Sequence, residues 1–230
     1  MALAQRLILP GRVAVLAGAT GLVGAALLSR LLSDPYTAQV YALARKPLPT
    51  HEKLTHCPAD FNRLNRALAA VRPQAAPDVY CALGTTIKAA GSQSTFRRVD
   101  HDYVLALALW AVRAQARRFL LISSLGADAQ SRNFYSRVKG ETEAALRALP
   151  LRSLVVARPS LLDGHRREWR GGERLALALT RPVRALIPAA LRPIAAADVA
   201  AALWLAAREQ TPPAVLDSGA MQGAARRIAQ

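Results

Sequence analysis

Cysteine is almost missing from this 230-residue chain: Cys57 and Cys81 are the two thiols. So few cysteines exclude a disulfide scaffold, and their spacing matches no metal-ligand pattern. The four histidines, His51, His56, His101 and His165, form no metal constellation either, so no metal site is expected. Two free thiols point to a reducing, cytoplasmic setting. Long apolar runs are also lacking. The stretch from Ile194 to Ala207 is broken by Asp198 and is too short to cross a bilayer, so no membrane span is expected. Met1 to Pro10 is mildly apolar and leads straight into a strand-like run, which does not read as a cleaved signal peptide. No repeat of 20–50 residues and no low-complexity linker divides the chain. Its length fits one α/β domain over residues 1–230.

Acidic residues are scarce as well: 15 against 31 basic, for a formal charge of +16. Lysines are few (Lys46, Lys53, Lys88, Lys139), so nearly all the positive charge is arginine. Pairs such as Arg97-Arg98, Arg117-Arg118, Arg166-Arg167 and Arg226-Arg227 are scattered over different segments. With aromatics at 5%, there is no basic, aromatic-interleaved patch on which single strands would stack. Nucleic acid is therefore not the expected partner. Part of the charge can attract an anionic, phosphorylated cofactor.

What the chain does have is Gly18-Ala19-Thr20-Gly21-Leu22-Val23-Gly24, set between the apolar run Val13–Ala17 and a helical run beginning at Leu22. In the context strand, glycine loop, helix, this spacing indicates dinucleotide binding. One glycine permits the tight turn, one lets the backbone approach a pyrophosphate, and one lets the helix pack close to the sheet. The helix end then aims free N–H groups at the phosphates. Gly18, Thr20, Gly21, Leu22, Val23 and Gly24 are the expected cradle.

Apolar runs alternate with helical patterns along the chain. Strands are expected at Val13–Ala17, Val40–Ala44, Leu54–Cys57, Val79–Leu83, Phe119–Ile122 and Leu154–Ala157. Helices are expected at Leu22–Ser33, Phe61–Val71, Ser94–Ala116, Tyr135–Leu149, Glu173–Thr180 and Ala197–Arg208. Such alternation predicts a Rossmann-type, doubly wound parallel sheet in the order 3-2-1-4-5-6, with a short C-terminal substrate segment near 160–193. Ligands bind beyond the carboxyl ends of these strands.

After the second strand, Arg45 and Lys46 stand in a window, Val40 to Thr50, without Asp or Glu. An acidic residue there would take ribose hydroxyls; an arginine accommodates a 2′-phosphate. NADP(H) is therefore expected over NAD(H). After the third strand, Asp60 can bond an adenine amine and Phe61 can flank the base, or the pair can be a helix cap and a core ring. After the fourth come Leu83-Gly84-Thr85-Thr86, where the backbone can approach the cofactor and the threonines can bond ribose or phosphate, or cap the next turn. After the fifth comes Ser123-Ser124, and eleven residues past Ser124 comes Tyr135-x-x-x-Lys139. Tyr and Lys at i and i+4 share one helix face. An ammonium there favours phenolate over phenol, so the Tyr can exchange a proton with a carbonyl or alcohol. Ser124 can hold the substrate oxygen.

The glycine loop, Ser124 and the Tyr135…Lys139 pair make the chain resemble the short-chain dehydrogenase/reductase superfamily, in its extended or atypical branch, over roughly residues 12–210. The segments Cys81-Ala-Leu-Gly-Thr-Thr-Ile-Lys, Phe96-Arg-Arg-Val-Asp-His-Asp-Tyr-Val and Ile122-Ser-Ser-Leu-Gly-Ala-Asp are similar to the Tat-interacting-protein oxidoreductase group and its bacterial relatives. The resemblance implies NADPH binding, a Ser124–Tyr135–Lys139 catalytic set, a bond from Lys139 to the nicotinamide ribose, and Pro159 near the nicotinamide. Many members place an Asn in the central helix. Here the helix reads Val99-Asp100-His101-Asp102-Tyr103; His101 or Asp100 can take the place of that Asn, but a helix-packing or surface role is the expected one. The short C-terminal segment argues against a nucleotide-sugar substrate.

Residues 163–172 read as a Gly-flanked lid or an ordinary loop. Asp198 reads as a helix cap and the tail from Met221 as loose. The expected activity is NADPH-dependent reduction or oxidation of a small carbonyl or alcohol; the alternative is an NADP(H)-binding regulatory or scaffold protein without turnover. A monomer or a homodimer, formed through the helix faces near Leu105 and Leu146, is expected.

Overall fold

A computed structural model describes residues 11–163 and 191–229. Among them, seven strands form one parallel sheet in the order β3-β2-β1-β4-β5-β6-β9. These are β1 (Arg12–Ala17), β2 (Thr37–Ala44), β3 (Leu54–Pro58), β4 (Asp78–Cys81), β5 (Arg118–Ile122), β6 (Leu154–Arg158) and β9 (Val215–Asp217). A separate two-residue pair joins β7 (Leu162–Asp163) to β8 (Ile194–Ala195). The order of the first six strands is the expected one, and its reversal falls between β1 and β4. In such a sheet the ligand crevice opens at that reversal.

The central strands β1, β4, β5 and β6 are largely apolar and buried because helices cover both faces, whereas the edge strand β3 has no buried residue. Side chains alternate between the two layers. Ala14 and Leu16 pack with α1 (Leu22–Ser33), α7 (Ala196–Ala206) and α8 (Ser218–Ala229). Val15 and Ala17 face the other layer, which holds α2 (Leu64–Ala69), α5 (Tyr103–Arg113) and α6 (Phe134–Arg147). Leu27 and Leu107, fully buried on opposite faces, each contribute about 2 kcal/mol by the usual area rule. Leu146 is likewise fully buried in this chain's own core, and Leu105 is half-buried.

Some boundaries depart from the sequence reading. β4 stops at Cys81, two residues early, so that Leu83 and Gly84 lie in the loop above the sheet. The expected helix over Phe61–Val71 begins with a 3-10 turn, Phe61–Arg63. The expected long helix over Ser94–Ala116 contains α4 (Gln93–Arg97), a π turn (Arg98–Asp102) and α5. The tail from Met221 is helical rather than loose: Met221 is fully buried and anchors α8 on the sheet. Asp198 lies in the first turn of α7, whose N-cap is Ala195. The expected helix Glu173–Thr180, His165, and most of the 163–172 lid and the 160–193 substrate segment lie outside the described residues.

At the amino ends of the strands, buried Asp78 takes an ion pair from Arg117 and lies 3.5 Å from Arg12. Arg208 pairs with buried Asp34 and stacks 3.7 Å from the Trp204 ring centre. Part of the excess arginine thus holds the end of the sheet opposite the ligand edge.

Candidate cofactor and active site

The glycine loop leaves β1 at Gly18, whose φ of 89° is left-handed. A Cβ at Gly18 would overlap the Ala82 carbonyl in the loop after β4. Gly24 sits one turn into α1, and a Cβ there would overlap the Gly18 carbonyl. These two glycines let helix, loop and sheet close on one another. Gly21 differs. Its N–H donates to the Gly18 carbonyl at 3.0 Å, and an added Cβ would meet nothing nearer than that oxygen, at 3.4 Å. Space is open in front of it. Gly21 caps α1 without a side-chain hydrogen bond, and no acidic residue lies in the first turn. The helix start therefore offers backbone donors and the positive end of its dipole to an anion. Thr20 is exposed beside it, Leu22 is half-buried, and the Val23 side chain is in the core, leaving only its backbone to face a ligand.

Arg45 and Lys46 follow β2, are exposed, and make no ion pair among the described residues. Asp60 accepts the Asn62 N–H at 3.0 Å and so caps the 3-10 turn. The Phe61 ring is half-buried, 5.8 Å from that of Tyr103. The cap and packing roles are observed for both residues. Leu83 is in the core and Gly84 is exposed above it. Of the two threonines, Thr86 caps the short helix α3 (Ile87–Ala90), accepting the Ala89 N–H at 3.0 Å. The Thr85 N–H donates to Asp100 Oδ2 at 2.9 Å.

Tyr135 and Lys139 lie one turn apart on α6, which begins at an Asn133 cap. Tyr135 is half-buried with its ring 5.3 Å from that of Phe96. Lys139 is buried, and its Nζ lies 2.7 Å from Asp100 Oδ1. Burial pushes the Lys139 ammonium down, but Asp100 and Tyr135 together outweigh it and hold it above its ordinary value. Beneath them Cys81 is fully buried, and mainly for that reason its thiol is pushed up to about 12. Neither Cys57 nor Cys81 is in a disulfide. Ser124 follows β5, and its Oγ is buried without a hydrogen-bond partner among the described residues. Its neighbour Ser123 is satisfied, donating to Glu143 Oε1 at 2.7 Å. Pro159 is buried after β6, and its carbonyl accepts the Leu125 N–H at 2.8 Å, which ties the loops after β5 and β6 together.

Asp100 departs from the sequence reading. It is neither a surface residue nor mere helix packing, because it forms an ion pair with Lys139 and accepts the Thr85 N–H at once. No local pattern marks this role, because the partners, Lys139 and Thr85, lie on other elements. Glu143, four residues past Lys139, is held mainly by partners not visible in the local sequence, since Ser123 and Arg158 lie on other elements.

Among the described residues no group of His, Cys, Asp and Glu could hold a metal ion. None of their helices is long and apolar enough to cross a membrane. A family model described as NAD(P)H-binding matches residues 18–209. The chain belongs to this family. Its place within it is that of an atypical short-chain dehydrogenase/reductase related to HTATIP2. Protein HTATIP2 of Rattus norvegicus is 38% identical over 164 residues, 69% of this chain and 66% of the relative. Protein fmp52, mitochondrial, of Emericella nidulans is 35% identical over 168 residues, 70% of this chain and 71% of the relative. Among solved structures, MoeE5 in complex with UDP-glucose and NAD superposes with a TM-score of 0.66 at 20% identity, covering 90% of this chain and 75% of that one. At that identity the likeness shows the Rossmann-type fold. The expected cytoplasmic location does not stand, since relatives at this level of identity are named as mitochondrial proteins. Thiol content reports a reducing environment, and the cytosol is not the only one.

Proposed function

We propose that the protein is an NADPH-dependent oxidoreductase acting on a small carbonyl or alcohol. The observation that carries this reading is the buried, unpartnered Ser124 hydroxyl at the carboxyl end of β5. A buried hydroxyl without a partner is costly, and its natural complement is an oxygen brought by a ligand. The open space before Gly21 and the uncapped start of α1 fit a pyrophosphate. The exposed, unpaired Arg45 and Lys46 fit a 2′-phosphate, and Asp60, Phe61, Leu83, Gly84, Thr85 and Pro159 would line the rest of the cofactor.

When bound, the dihydronicotinamide supplies the hydride. Ser124 Oγ–H donates to the substrate carbonyl and fixes its direction. Tyr135 Oη gives its proton to the same oxygen as the carbonyl carbon is reduced, and takes it back in the oxidative direction. Lys139 lies one turn from Tyr135 on α6, and its ammonium would bond the nicotinamide ribose. The substrate is small, and the enzyme is a monomer or homodimer.

The test is a fluorescence titration with NADPH and NADH, followed by a carbonyl panel monitored by NADPH absorbance. Micromolar NADPH binding, weaker NADH binding and turnover of at least one aldehyde or ketone are expected. Tight NADPH binding with no turnover across the panel would replace the enzyme by an NADP(H)-binding regulatory protein.

A further inference from the structure

Beside the carboxyl edge of the sheet, two helices meet through two residue pairs of equal spacing. Phe96 and Asp100 lie four apart on the run α4–π turn–α5; Tyr135 and Lys139 lie four apart on α6. The Phe96 ring is fully buried against the Tyr135 ring, and Asp100 Oδ1 meets Lys139 Nζ at 2.7 Å. We propose that Asp100 is the positioning residue for Lys139, locking its ammonium in place and coupling it to the loop at Gly84 and Thr85. The inference rests on the proposed function in one respect, that Lys139 meets the cofactor ribose.

Three observations support it. Both side chains are buried, 7% exposed for Lys139 and 0% for Asp100, so neither charge has water as an alternative partner. Asp100 is itself fixed. Its Oδ2 accepts the Thr85 N–H, and its carbonyl accepts the Thr142 hydroxyl of α6 at 2.9 Å. The residue sits in the π turn, where the Tyr103 N–H reaches back to the Arg98 carbonyl. Such widened turns are uncommon and cluster at functional sites. Finally, the loop touches the pair. A Cβ at residue 84 would lie 3.3 Å from Asp100 Oδ1 and 3.8 Å from Lys139 Nζ, so glycine there brings the backbone directly over the two charges.

The groups facing the Lys139 ammonium are Asp100 from the π turn, Tyr135 from its own helix and Cys81 from β4. Burial has kept the Cys81 thiol neutral, so among these Asp100 is the carboxylate that keeps a buried ammonium protonated. Without it the desolvated amine sheds its proton more easily, and a ribose contact that needs the ammonium becomes dependent on pH.

The experiment uses the full chain, as wild type, D100N and D100E. Lysine 13Cε resonances are followed by NMR without cofactor, with exposed Lys46 and Lys88 as references and K139R for assignment. In the wild type, Lys139 is expected to stay protonated after Lys46 and Lys88 have begun to titrate. In D100N its titration is expected to move down by at least about one pH unit, and D100E to recover part of the shift. In parallel, NADPH affinity is measured between pH 6 and 9. Wild type is expected to vary little, and D100N to lose about tenfold in affinity over that range. An unchanged Lys139 titration in D100N overturns the proposal. So does a wild-type Lys139 that titrates ahead of Lys46 and Lys88, a result available even if D100N does not fold. Absence of NADPH binding by the wild type would remove the proposed function instead, while the lysine titration still decides the role of Asp100.

Discussion

Ser123 Oγ donates to Glu143 Oε1 at 2.7 Å, inside a carboxylate site with no exposed surface. Arg158 adds bonds from Nε and Nη2 at 2.9 and 2.6 Å, and Arg147 one at 2.9 Å. One side chain of α6 thus ties together the carboxyl ends of β5 and β6, the platform on which Ser124 and Pro159 stand. Burial pushes the Glu143 carboxyl up, but bonds from Arg158, Ser123 and Arg147 outweigh it and hold the group below its ordinary 4.5. A lowered carboxylate stabilises the fold above the unfolded-state value, and that stability is lost as pH falls through the lower folded value. E143Q should therefore cost about 3 kcal/mol at pH 7, since it leaves the Arg158 charge poorly paired. Urea unfolding at pH 7 and at several values below 4.5 is the check. The deficit should shrink in the acid range, and a constant deficit would mean that only packing is lost.

The three loop glycines should separate by role. At Gly18 and Gly24 a Cβ strikes backbone, so G24A should fold poorly or unfold several degrees early. At Gly21 an added methyl meets only the Gly18 oxygen, at 3.4 Å. G21A should keep its melting temperature and lose at least about tenfold in NADPH affinity, because the methyl occupies the space left for a pyrophosphate. Thermal shift and NADPH titration on the same samples check both. A G21A protein that binds NADPH normally would place the phosphates elsewhere.

The central strands were legible because a parallel sheet buried on both faces needs apolar runs; the edge strand β3, Leu-Thr-His-Cys-Pro, carries no such run, and its place follows from the alternation with helices. β9 was not legible. Its three residues, Val215 to Asp217, are too few for any period, and their place at the sheet edge comes from pairing with Val156–Arg158. The π turn was hidden for another reason. The residues of 98–102 include no Gly or Pro to mark a break, and the widened turn coincides with contacts from Asp100 to Lys139, Thr85 and Thr142, up to 42 residues away in sequence. For the candidate site, the placing of Tyr135 and Lys139 one turn apart on a single helix was readable from local spacing. Asp100 and Glu143 were not, because a buried charge is recognised by its partners, and those lie on other elements.

Arg45 and Lys46 are exposed beyond β2 and unpaired among the described residues. A planar guanidinium bonding a phosphate is worth about 1.5–3 kcal/mol, or roughly tenfold to a hundredfold in affinity. R45A should lose that much toward NADPH and little toward NADH, which carries no 2′-phosphate. Titrations of both nucleotides with wild type and variant check it. Equal losses would make Arg45 a general electrostatic attractor of this +16 chain, and the losses would then shrink together as salt is raised.

Ser124 and Tyr135 call for the pair of variants that separates chemistry from architecture. Removing a buried hydroxyl that has no partner takes away a desolvated group and breaks no bond, so S124A should be as stable as wild type or slightly more so. If that hydroxyl orients a substrate oxygen, turnover should fall by about a hundredfold while NADPH affinity holds. Y135F keeps the ring against Phe96 and removes the proton donor. It should retain its melting temperature and its NADPH affinity, with turnover lost. Single-turnover oxidation of bound NADPH, read for wild type and both variants with the best aldehyde or ketone from the panel, is the decisive measurement. Persistent turnover in Y135F would move the proton source away from α6, and a stability loss in S124A would show that the hydroxyl serves the fold.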